Sequence, residues 1–401
     1  MKIQLQNTSF YPATGGIENY LYYASKTLLK MGHEPTILCS QHQPNLPTKE
    51  NYEGIKIIRH PYYSLPLIPF APINPIYYVK KLQKFLGNNS EDYDTIWPRI
   101  LYDAYATGKV FQNKIPIIFI QAAIATNLSE ISSANSGLVS KVYAKSIHMQ
   151  YNFIEKRAIE MSDKVVVLSH SRMREVCDFY NLSKEKFEVI TPGVDLEFFK
   201  PSEKDKMLLR ELSLPNNSKI ILTVCRLSHE KNLEMLIRAF NKINIKNAYL
   251  VFVGDGPERI YLERLVDLLN IINRIRFVGT RKDVERFYSI ADVFVLPSTY
   301  EGFGQVFIEA MASGVPCIGL KSDYPNVVVA CDEIIRNGRS GYLANAYSID
   351  DLADKIEKII SNDNLRDKLG IESRKICEEE YTWKKCVGTL LELSQTILKK
   401  L

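Results

Sequence analysis

The stretch Val293-Phe-Val-Leu-Pro297-Ser-Thr-Tyr-Glu301-Gly-Phe-Gly304-Gln-Val-Phe-Ile-Glu309 decides the fold of the second half of the chain. Its apolar beginning, Val293–Leu296, predicts a short buried strand. Two glycines then predict a turn in which the backbone comes close to whatever lies opposite, and residues 306–312 predict a helix. The glycine turn therefore lies at the carboxyl end of a strand.

Two carboxylates flank this turn, Glu301 on the loop and Glu309 in the first turns of the helix. Their spacing is not a whole number of helical turns, so the two side chains belong to different elements. Carboxylates accept hydrogen bonds from sugar and ribose hydroxyls, which indicates a site for a hydroxyl-rich ligand. The alternative is a plain glycine turn with a capping glutamate.

A second pattern indicates a phosphate site. Residues 220–224 predict a strand that leads to Arg226 and Lys231, directly before an amphipathic helix. Two cations at the carboxyl end of a strand, beside a helix amino terminus, favour an anion such as a diphosphate. They would also offset the negative charge that builds on a leaving phosphate. The alternative is a solvated charge pair with Glu230 at the start of the helix.

Strand patterns alternate with helical patterns along the whole chain. Residues 3–7, the loop to Gly16 and the apolar spacing from Ile17 to Met31 predict a strand, a glycine turn and a helix, with Gly32 as its carboxyl cap. Further strands are predicted at 36–39, 55–59, 95–97, 115–120, 164–168 and 187–190, and in the second half at 249–253, 276–278 and 316–319. This alternation predicts an α/β fold with two doubly wound, Rossmann-like domains.

A break in the pattern divides the chain. The segment Thr191-Pro-Gly-Val-Asp195 interrupts the alternation, and a length of 401 residues fits two domains. We expect a first domain of residues 1–192, a second domain of residues 193–380, and a last helix in residues 381–401.

The composition narrows the class of protein. A hydrophobic content of 46% and a charged content of 24% are typical of a soluble globular enzyme. The net charge of +5 lies in residues 1–190, with 21 Lys and Arg against 16 Asp and Glu, too weak an excess for a nucleic-acid footprint. Seven cysteines without Cys-x-x-Cys spacing favour reduced thiols in a cytoplasm, and the histidines show no metal-ligand spacing. We expect neither a signal peptide nor a transmembrane helix.

The glycine turn with its two glutamates resembles the Glu-x7-Glu signature of retaining glycosyltransferases of family GT4. The resemblance runs from Gly15 to the last helix, and it includes Arg226 and Lys231, which match the family's phosphate-binding turn. It implies the GT-B fold, in which two Rossmann-like domains face a cleft and the last helix crosses back to the first domain. It also implies that a nucleoside-diphosphate sugar, a UDP-sugar before a GDP-sugar, donates its sugar with retained configuration. The resemblance implies no bound metal and no required cofactor.

The same resemblance implies a role for each candidate residue. Glu309 would hold the ribose hydroxyls, and Glu301 would position the donor sugar. Arg226 and Lys231 would hold the diphosphate and act with Glu301 in catalysis. The remaining donor-binding residues that it implies are Gly15, Gly16, Gly279, Thr280, Gly302, Phe303 and Gly304. For the first two of these, contact with the acceptor and plain strand-to-helix turn geometry stay open as alternatives.

The acceptor that the resemblance implies is a hydroxyl of a saccharide or of a lipid-linked molecule, used in the assembly of cell-surface glycans. A cytoplasmic enzyme at the inner face of a membrane would then make peripheral contact with lipid. Residues 60–86, rich in Pro and Tyr and then in Lys, are the candidate segment. The alternative, which we favour, is that its helix packs an apolar stripe on its own sheet and leaves the lysines in water.

Two departures from the family pattern concern the donor sugar. Gln121 ends a predicted strand where many relatives carry a histidine that touches the transferred sugar, and an amide cannot titrate. Residues 322–333 replace a short glycine-rich turn, and they either reshape the sugar side of the site or form a surface insertion. Both leave the identity of the sugar open.

Two other kinds of function fit the same residues. A GT-B phosphorylase, or a nucleotide-sugar hydrolase or epimerase, would consume the donor without a glycosyl acceptor. A non-catalytic sugar-nucleotide-binding subunit usually lacks one of the four charged residues, and all four are present here. Steady turnover with donor plus acceptor separates the three.

Overall fold

The computed structural model describes residues 1–13, 15–63, 74–89, 91–121, 124 and 138–401, with only the backbone for residues 74 and 138–147. The chain divides into two compact units. The first unit contains Met1–Leu168, Met173–Pro192 and Trp383–Leu401, and the second contains Ser169–Arg172 and Gly193–Thr382. Parallel strands alternate with helices in both units.

The strands of the first unit are β1 (Lys2–Gln6), β2 (Glu34–Ser40), β3 (Lys49–Tyr52), β4 (Ile55–His60), β5 (Thr95–Pro98), β6 (Ile118–Gln121), β7 (Lys164–Val167) and β8 (Phe187–Val189). They form a five-stranded sheet in the order β3-β4-β2-β1-β5 and a three-stranded sheet in the order β6-β7-β8. A parallel bridge between Ile96 and Ile117 links the two sheets. Every described pair is parallel apart from β3 with β4.

The second unit contains β9 (Lys219–Val224), β10 (Ala248–Val253), β11 (Ile275–Gly279), β12 (Val293–Leu296), β13 (Cys317–Leu320) and β14 (Gly341–Ala344). They form one parallel sheet in the order β11-β10-β9-β12-β13-β14. The strand order therefore reverses between β9 and β12. In open α/β sheets, ligands bind outside the carboxyl ends of the strands at such a switch point.

Helices connect these strands. In chain order they are α1 (Gly16–Lys30), α2 (Asn74–Asn88), α3 (Leu101–Phe111), α4 (Leu138–Met161), α5 (His170–Tyr180), α6 (Lys206–Glu211), α7 (Leu233–Lys242), α8 (Arg259–Leu268), α9 (Val284–Ile290), α10 (Gln305–Ala312), α11 (Cys331–Ile334), α12 (Ile349–Ile360), α13 (Asp363–Glu380) and α14 (Trp383–Leu398). The predicted cap of α1 is confirmed: Gly32 has φ +80°, its N–H donates to the carbonyl of Leu29, and the His33 N–H donates to the carbonyl of Leu28. This pair of bonds is a Schellman motif.

Helix α2 packs as the sequence analysis favours. Its apolar stripe, Tyr78, Val79, Leu82 and Leu86, is buried in a core cluster that also contains residues of β2, β4 and β5. Its lysines, Lys80, Lys81 and Lys84, are exposed. Residues 64–73 of the Pro- and Tyr-rich segment lie outside the described residues.

Helix α14 belongs to the first unit. The ring of Trp383 meets that of Tyr20 on α1 edge-on, with 5.1 Å between their centroids. Near the other end of α14, the indole Nε1–H of Trp97 donates to Ser394 Oγ at 3.1 Å. The chain therefore returns to the first unit after it has built the second.

A buried carboxylate, Asp292, fastens the amino ends of the two central strands of the second unit. Its Oδ2 accepts from the backbone N–H of Ile220 at 2.8 Å and from Lys204 Nζ at 2.7 Å, and its Oδ1 accepts from Arg366 at 3.0 Å. A buried charge is tolerated only when it is paired in this way. The carboxyl ends of the same two strands are left for the loops that follow.

Candidate active site

The carboxyl ends of β9 and β12 lie side by side at the switch point of the second unit. The loop after β9 carries Arg226, a short 3-10 turn at His229–Lys231, and then α7. The loop after β12 carries Glu301 and leads into α10. Two residues that the sequence separates widely are thereby brought to one edge of the sheet.

Lys231 and Glu301 form an ion pair at this edge. The ammonium Nζ lies 2.6 Å from Glu301 Oε1, and the two side chains are 15% and 14% exposed. Burial alone would lower the pKa of Lys231, but the charge of Glu301 and its hydrogen bond outweigh burial, so the pKa of the lysine is raised. Ser298 Oγ also donates to Oε1 at 3.1 Å, whereas Oε2 accepts no hydrogen bond from the described residues. That second oxygen remains available to a ligand hydroxyl.

Glu230, which the sequence analysis treats as a surface partner, ties the two loops together. Its backbone carbonyl accepts from the N–H of Thr299 at 2.8 Å. Its carboxylate Oε1 accepts from Ser228 Oγ at 2.5 Å, and it lies 4.0 Å from the ammonium of Lys231. The closer partner of Lys231 is thus Glu301, and the predicted alternative of a pair with Glu230 describes only a minor contact.

Arg226 is exposed, and its guanidinium forms no hydrogen bond or ion pair with the part of the chain that the structure describes. The backbone on either side of Arg226 packs against two glycines of the loop after β10. A Cβ on Gly254 would lie 1.9 Å from the carbonyl oxygen of Cys225, and one on Gly256 would lie 2.3 Å from that of Leu227. Only glycine lets the loop after β10 approach this backbone so closely, so the turn packs directly against that loop while its arginine faces solvent.

The predicted glycine turn after β12 is confirmed at Gly304. This residue has φ +85° and precedes α10, and a Cβ there would lie 2.8 Å from the ring of Phe307. Phe303 is buried, and its ring centroid is 6.1 Å from that of Tyr381, so it anchors the turn in the core. Gly302 is partly exposed between this anchor and Glu301.

Glu309 lies one helical turn after Gln305, the first residue of α10. Its carboxyl accepts a hydrogen bond from the hydroxyl of Tyr288 at 3.0 Å. Burial of its carboxyl raises the pKa to about 7, although the hydrogen bond from Tyr288 works in the opposite direction. The sequence pattern identifies Glu309 but gives no sign of Tyr288. A carboxyl with this pKa changes its charge near neutral pH.

Segment 322–333 lies only partly on the surface, where Asp323, Pro325 and Asn326 are exposed. Residues Val327, Val328, Val329 and Ala330 are buried. The carbonyl of Val328 accepts from the backbone N–H of Glu301 at 3.0 Å, and its own N–H donates to the carbonyl of Thr299 at 2.9 Å. The segment therefore fixes the backbone on which the first glutamate stands.

Gly279 and Thr280 follow β11 at the same edge. Gly279 has φ +79°, and its carbonyl accepts from the N–H of Gly254 at 2.8 Å. Thr280 is exposed. The structure thus places residues of the loops after β9, β10, β11 and β12 along one edge of the second unit.

Comparison with known proteins covers nearly the whole chain. The family described as Glycosyltransferase Family 4 matches residues 14–198, and that described as Glycosyl transferases group 1 matches residues 205–376. The chain belongs to glycosyltransferase family GT4. It is 28% identical over 396 residues to an uncharacterized glycosyltransferase of Methanocaldococcus jannaschii, covering 96% of this chain and 95% of that one.

Two further similarities extend over the full length. The chain is 22% identical to the alpha-monoglucosyldiacylglycerol synthase of Acholeplasma laidlawii, covering 100% of this chain and 99% of that one. The solved structure of Anabaena HepE in complex with UDP and glucose superposes with a TM-score of 0.75 at 19% identity, over 99% of this chain and 100% of that one. This GT4 glycosyltransferase therefore has the GT-B fold, an α/β architecture with two Rossmann-like domains.

In the first unit of the glycosyltransferase, Gly15 and Gly16 begin α1. Gly15 has an extended backbone with φ −173°, and a Cβ there would lie 2.7 Å from Glu18 Oε2. Glu18 Oε1 accepts from Ser9 Oγ at 2.6 Å, so a larger residue at position 15 would have to displace this carboxylate. Gly16 faces open space. The first glycine packs closely against Glu18, and a contact with substrate remains a prediction for both.

Gln121 is buried at the end of β6 and is oriented by a carboxylate. Its Nε2 donates to Glu155 Oε1 at 2.5 Å, and Tyr180 donates to Glu155 Oε2 at 2.8 Å. A carboxylate only accepts, so the amide nitrogen must face Glu155 and the amide oxygen must face away. Residues 122 and 123, which follow Gln121, lie outside the described residues.

The described residues of the glycosyltransferase contain no group of three or more His, Cys, Asp or Glu side chains placed to hold a metal ion. All seven cysteines are free. None of the described helices is both long enough and apolar enough to cross a bilayer.

Proposed function

We propose that this glycosyltransferase moves a sugar from a nucleoside-diphosphate donor to a hydroxyl of a saccharide or lipid-linked acceptor, with retained anomeric configuration. The observation that carries the proposal is the Lys231–Glu301 pair at the switch point of the second unit, on the same turn as the exposed Arg226. One edge of the sheet thus offers fixed positive charge for phosphate and a carboxylate for sugar hydroxyls.

The donor diphosphate would bind Arg226 and Lys231. Arg226 has an exposed guanidinium and no competing partner among the described residues, and such a group binds phosphate in a bidentate manner. Lys231 uses one of its three N–H donors on Glu301, so two remain for phosphate oxygens. The exposed Gly279–Thr280 loop at the same edge would lie near the base.

The two carboxylates would hold hydroxyls on either side of the diphosphate. Glu301 keeps Oε2 for a hydroxyl of the donor sugar while Lys231 and Ser298 fix Oε1. Glu309 would accept from the ribose hydroxyls, and Tyr288 orients its carboxyl for that task. Gly302, Phe303 and Gly304 form the turn that joins them.

In the transfer, the bond between the anomeric carbon and the β-phosphate oxygen breaks, and its electron pair stays on the phosphate. The acceptor oxygen forms the new bond on the same face of the sugar, and its proton passes to the leaving phosphate. Arg226 and Lys231 stabilise the charge that develops there, which supplies the electrostatic part of catalysis without a metal. A UDP-sugar is favoured because the solved structure of HepE holds UDP and glucose.

A thermal-shift panel of UDP-, GDP- and ADP-sugars tests the donor, since a ligand that binds only the folded protein raises its melting temperature by mass action. The active donor is then incubated with candidate saccharide and lipid-linked acceptors. We expect a product with the anomeric configuration of the donor. Release of free sugar without any acceptor would instead indicate a hydrolase, and an inverted product would refute the retaining mechanism.

We also propose that the enzyme works at the cytoplasmic face of a membrane and touches it peripherally. The outward face of α4 exposes Met149 (68%) and Phe153 (53%), followed by exposed Lys156 and Arg157. Apolar side chains next to cations suit the interface of an anionic bilayer. Co-sedimentation with anionic and neutral vesicles tests this, and we expect Phe153→Asp to abolish anionic-lipid binding. Equal recovery of wild type and variant would refute the contact.

A further inference from the structure

A four-residue segment from far upstream forms part of the second unit. Ser169–Arg172 belongs to that unit although the residues on both sides of it in the sequence belong to the first. Glu333 holds the segment: its carboxylate accepts from the N–H of His170 at 2.7 Å, from the N–H of Ser171 at 2.7 Å and from Ser171 Oγ at 2.8 Å. These charge-assisted bonds cap the amino end of α5.

Arg172 ends this segment, and its side chain is fully buried. Its Nη1 donates to the hydroxyl of Tyr300 at 2.7 Å, and its Nη2 donates to the backbone carbonyl of Glu301 at 3.0 Å. The guanidinium carbon also lies 4.7 Å from the centroid of the Tyr300 ring. The planar fork of an arginine can make these contacts together, whereas the single ammonium of a lysine cannot.

The peptide of Glu301 is thus fixed on both sides. Its N–H donates to Val328, and its carbonyl accepts from Arg172. The side chain is fixed separately by Lys231. A change of about 1 Å in the position of a reacting group can reduce a rate by about 10²-fold, so the backbone contacts are as relevant to turnover as the ion pair.

We infer that Arg172 is a positioning residue for the transfer reaction, which acts by holding the backbone of Glu301 at the donor sugar. The inference rests on the proposed function, in which Glu301 contacts that sugar. The contacts of Arg172 described above reach Tyr300 and the backbone of Glu301, not the proposed phosphate-binding residues Arg226 and Lys231. Its loss should therefore impair turnover and recognition of the sugar while binding of the nucleoside diphosphate is retained.

The test compares Arg172→Met with Arg174→Met, a change two residues further along α5 at an exposed arginine whose side chain lies 3.8 Å from Asp178. Circular dichroism and melting temperature report folding, and steady-state rates are measured with the donor that is active in the panel. Affinities are measured by calorimetry for UDP and the UDP-sugar, or for the corresponding pair if another base is active. We expect Arg172→Met to lower kcat by about 10²-fold, to abolish the extra affinity of the sugar nucleotide over the diphosphate, and to leave diphosphate affinity within about twofold. Arg174→Met should behave as wild type.

Tyr300→Phe and Arg172→Lys both keep a positive charge at position 172. The first removes the hydroxyl that accepts from Arg172, and the second cannot make both hydrogen bonds of the guanidinium. If Arg172→Met does not fold, these two variants are used for the test instead. Each should lower kcat by about tenfold. Folded Arg172 variants with wild-type kcat overturn the inference, and so does equal weakening of UDP and UDP-sugar binding. Glu301→Gln, measured in parallel, separates the two claims. If it turns over normally, the proposed role of Glu301 fails, and if it is impaired while the Arg172 and Tyr300 variants are normal, only the role of Arg172 fails.

Discussion

The ammonium of Lys231 lies 2.6 Å from the carboxylate of Glu301, a residue 70 positions away in the sequence. Each group compensates the charge of the other in a partly buried place. Removing either one leaves its partner without that compensation, and under the proposed function it also removes a contact to the donor. The pair therefore connects stability with turnover.

Lys231→Ala and Glu301→Ala should each lose most turnover and remain folded. The loss of one preorganised charge contact to the leaving group costs roughly 10²–10³-fold in kcat. Lys242→Ala and Glu263→Ala are matched controls, because both residues form exposed surface ion pairs in the same unit. Rates close to wild type in both site variants, measured with the active donor, would remove the basis for the assigned roles.

Arg226→Ala should separate activity from stability. The exposed guanidinium has no partner among the described residues, so its removal should leave the melting temperature unchanged, as is usual for surface substitutions. Donor affinity and kcat should nevertheless fall, because a phosphate contact is lost. A scan of melting temperature with and without UDP measures stability and nucleotide binding, and steady-state rates with the active donor measure kcat. A large fall in the melting temperature of the free protein would show that Arg226 has a structural role instead.

The pH dependence of donor binding should follow Glu309, whose pKa burial raises to about 7. The neutral form stabilises the fold at low pH, and this contribution is lost as pH rises through about 7. Donor binding changes in the opposite direction, since ribose hydroxyls donate to the ionised carboxylate. Between pH 8 and pH 6 we expect affinity to fall by about tenfold.

Glu309→Gln is the control for that titration, because an amide of the same shape cannot change its charge. The variant should bind the donor weakly and lose the step near pH 7. Tyr288→Phe removes a hydrogen bond that lowers the pKa of Glu309, so the step should move to higher pH. Calorimetric titrations at several pH values measure both, and an unchanged step in Glu309→Gln would assign the titration to another group.

The apolar strands at the centre of each sheet can be predicted from sequence, because burial on both faces leaves a continuous run of apolar residues. Strand β3 is not predicted, because Lys49–Tyr52 is an edge strand without a run of apolar residues. Strand β14 is not predicted because it starts at Gly341, and a glycine in the sequence favours a turn over a strand. That glycine is required because a Cβ would lie 1.8 Å from the carbonyl oxygen of Cys317.

The meeting of Lys231 with Glu301 can be anticipated, because both follow strands whose carboxyl ends lie on one edge of a parallel sheet. The residues that hold these two side chains and Glu309 in place cannot be anticipated in this way. Val328, Tyr288 and Arg172 contact the two glutamates only through the packing of distant segments, and no local pattern marks them. The charged groups of the site can therefore be predicted from sequence, whereas the groups that hold them cannot.

Gly304→Ala should cost both stability and activity, and Gly338→Ala should cost stability alone. The two glycines have φ +85° and φ +78°, a region that costs a non-glycine residue roughly 1–2 kcal/mol. Around Gly338 a new Cβ would meet open space, whereas at Gly304 it would lie 2.8 Å from the ring of Phe307. The buried ring of Phe307 or the backbone of the turn must then shift, and we expect the shift to reach the glutamates on either side of the turn. Chemical denaturation and kcat measured on the two variants should show a similar backbone strain in both and a loss of turnover only in Gly304→Ala. Equal turnover in the two would mean that the geometry of this turn does not limit the reaction.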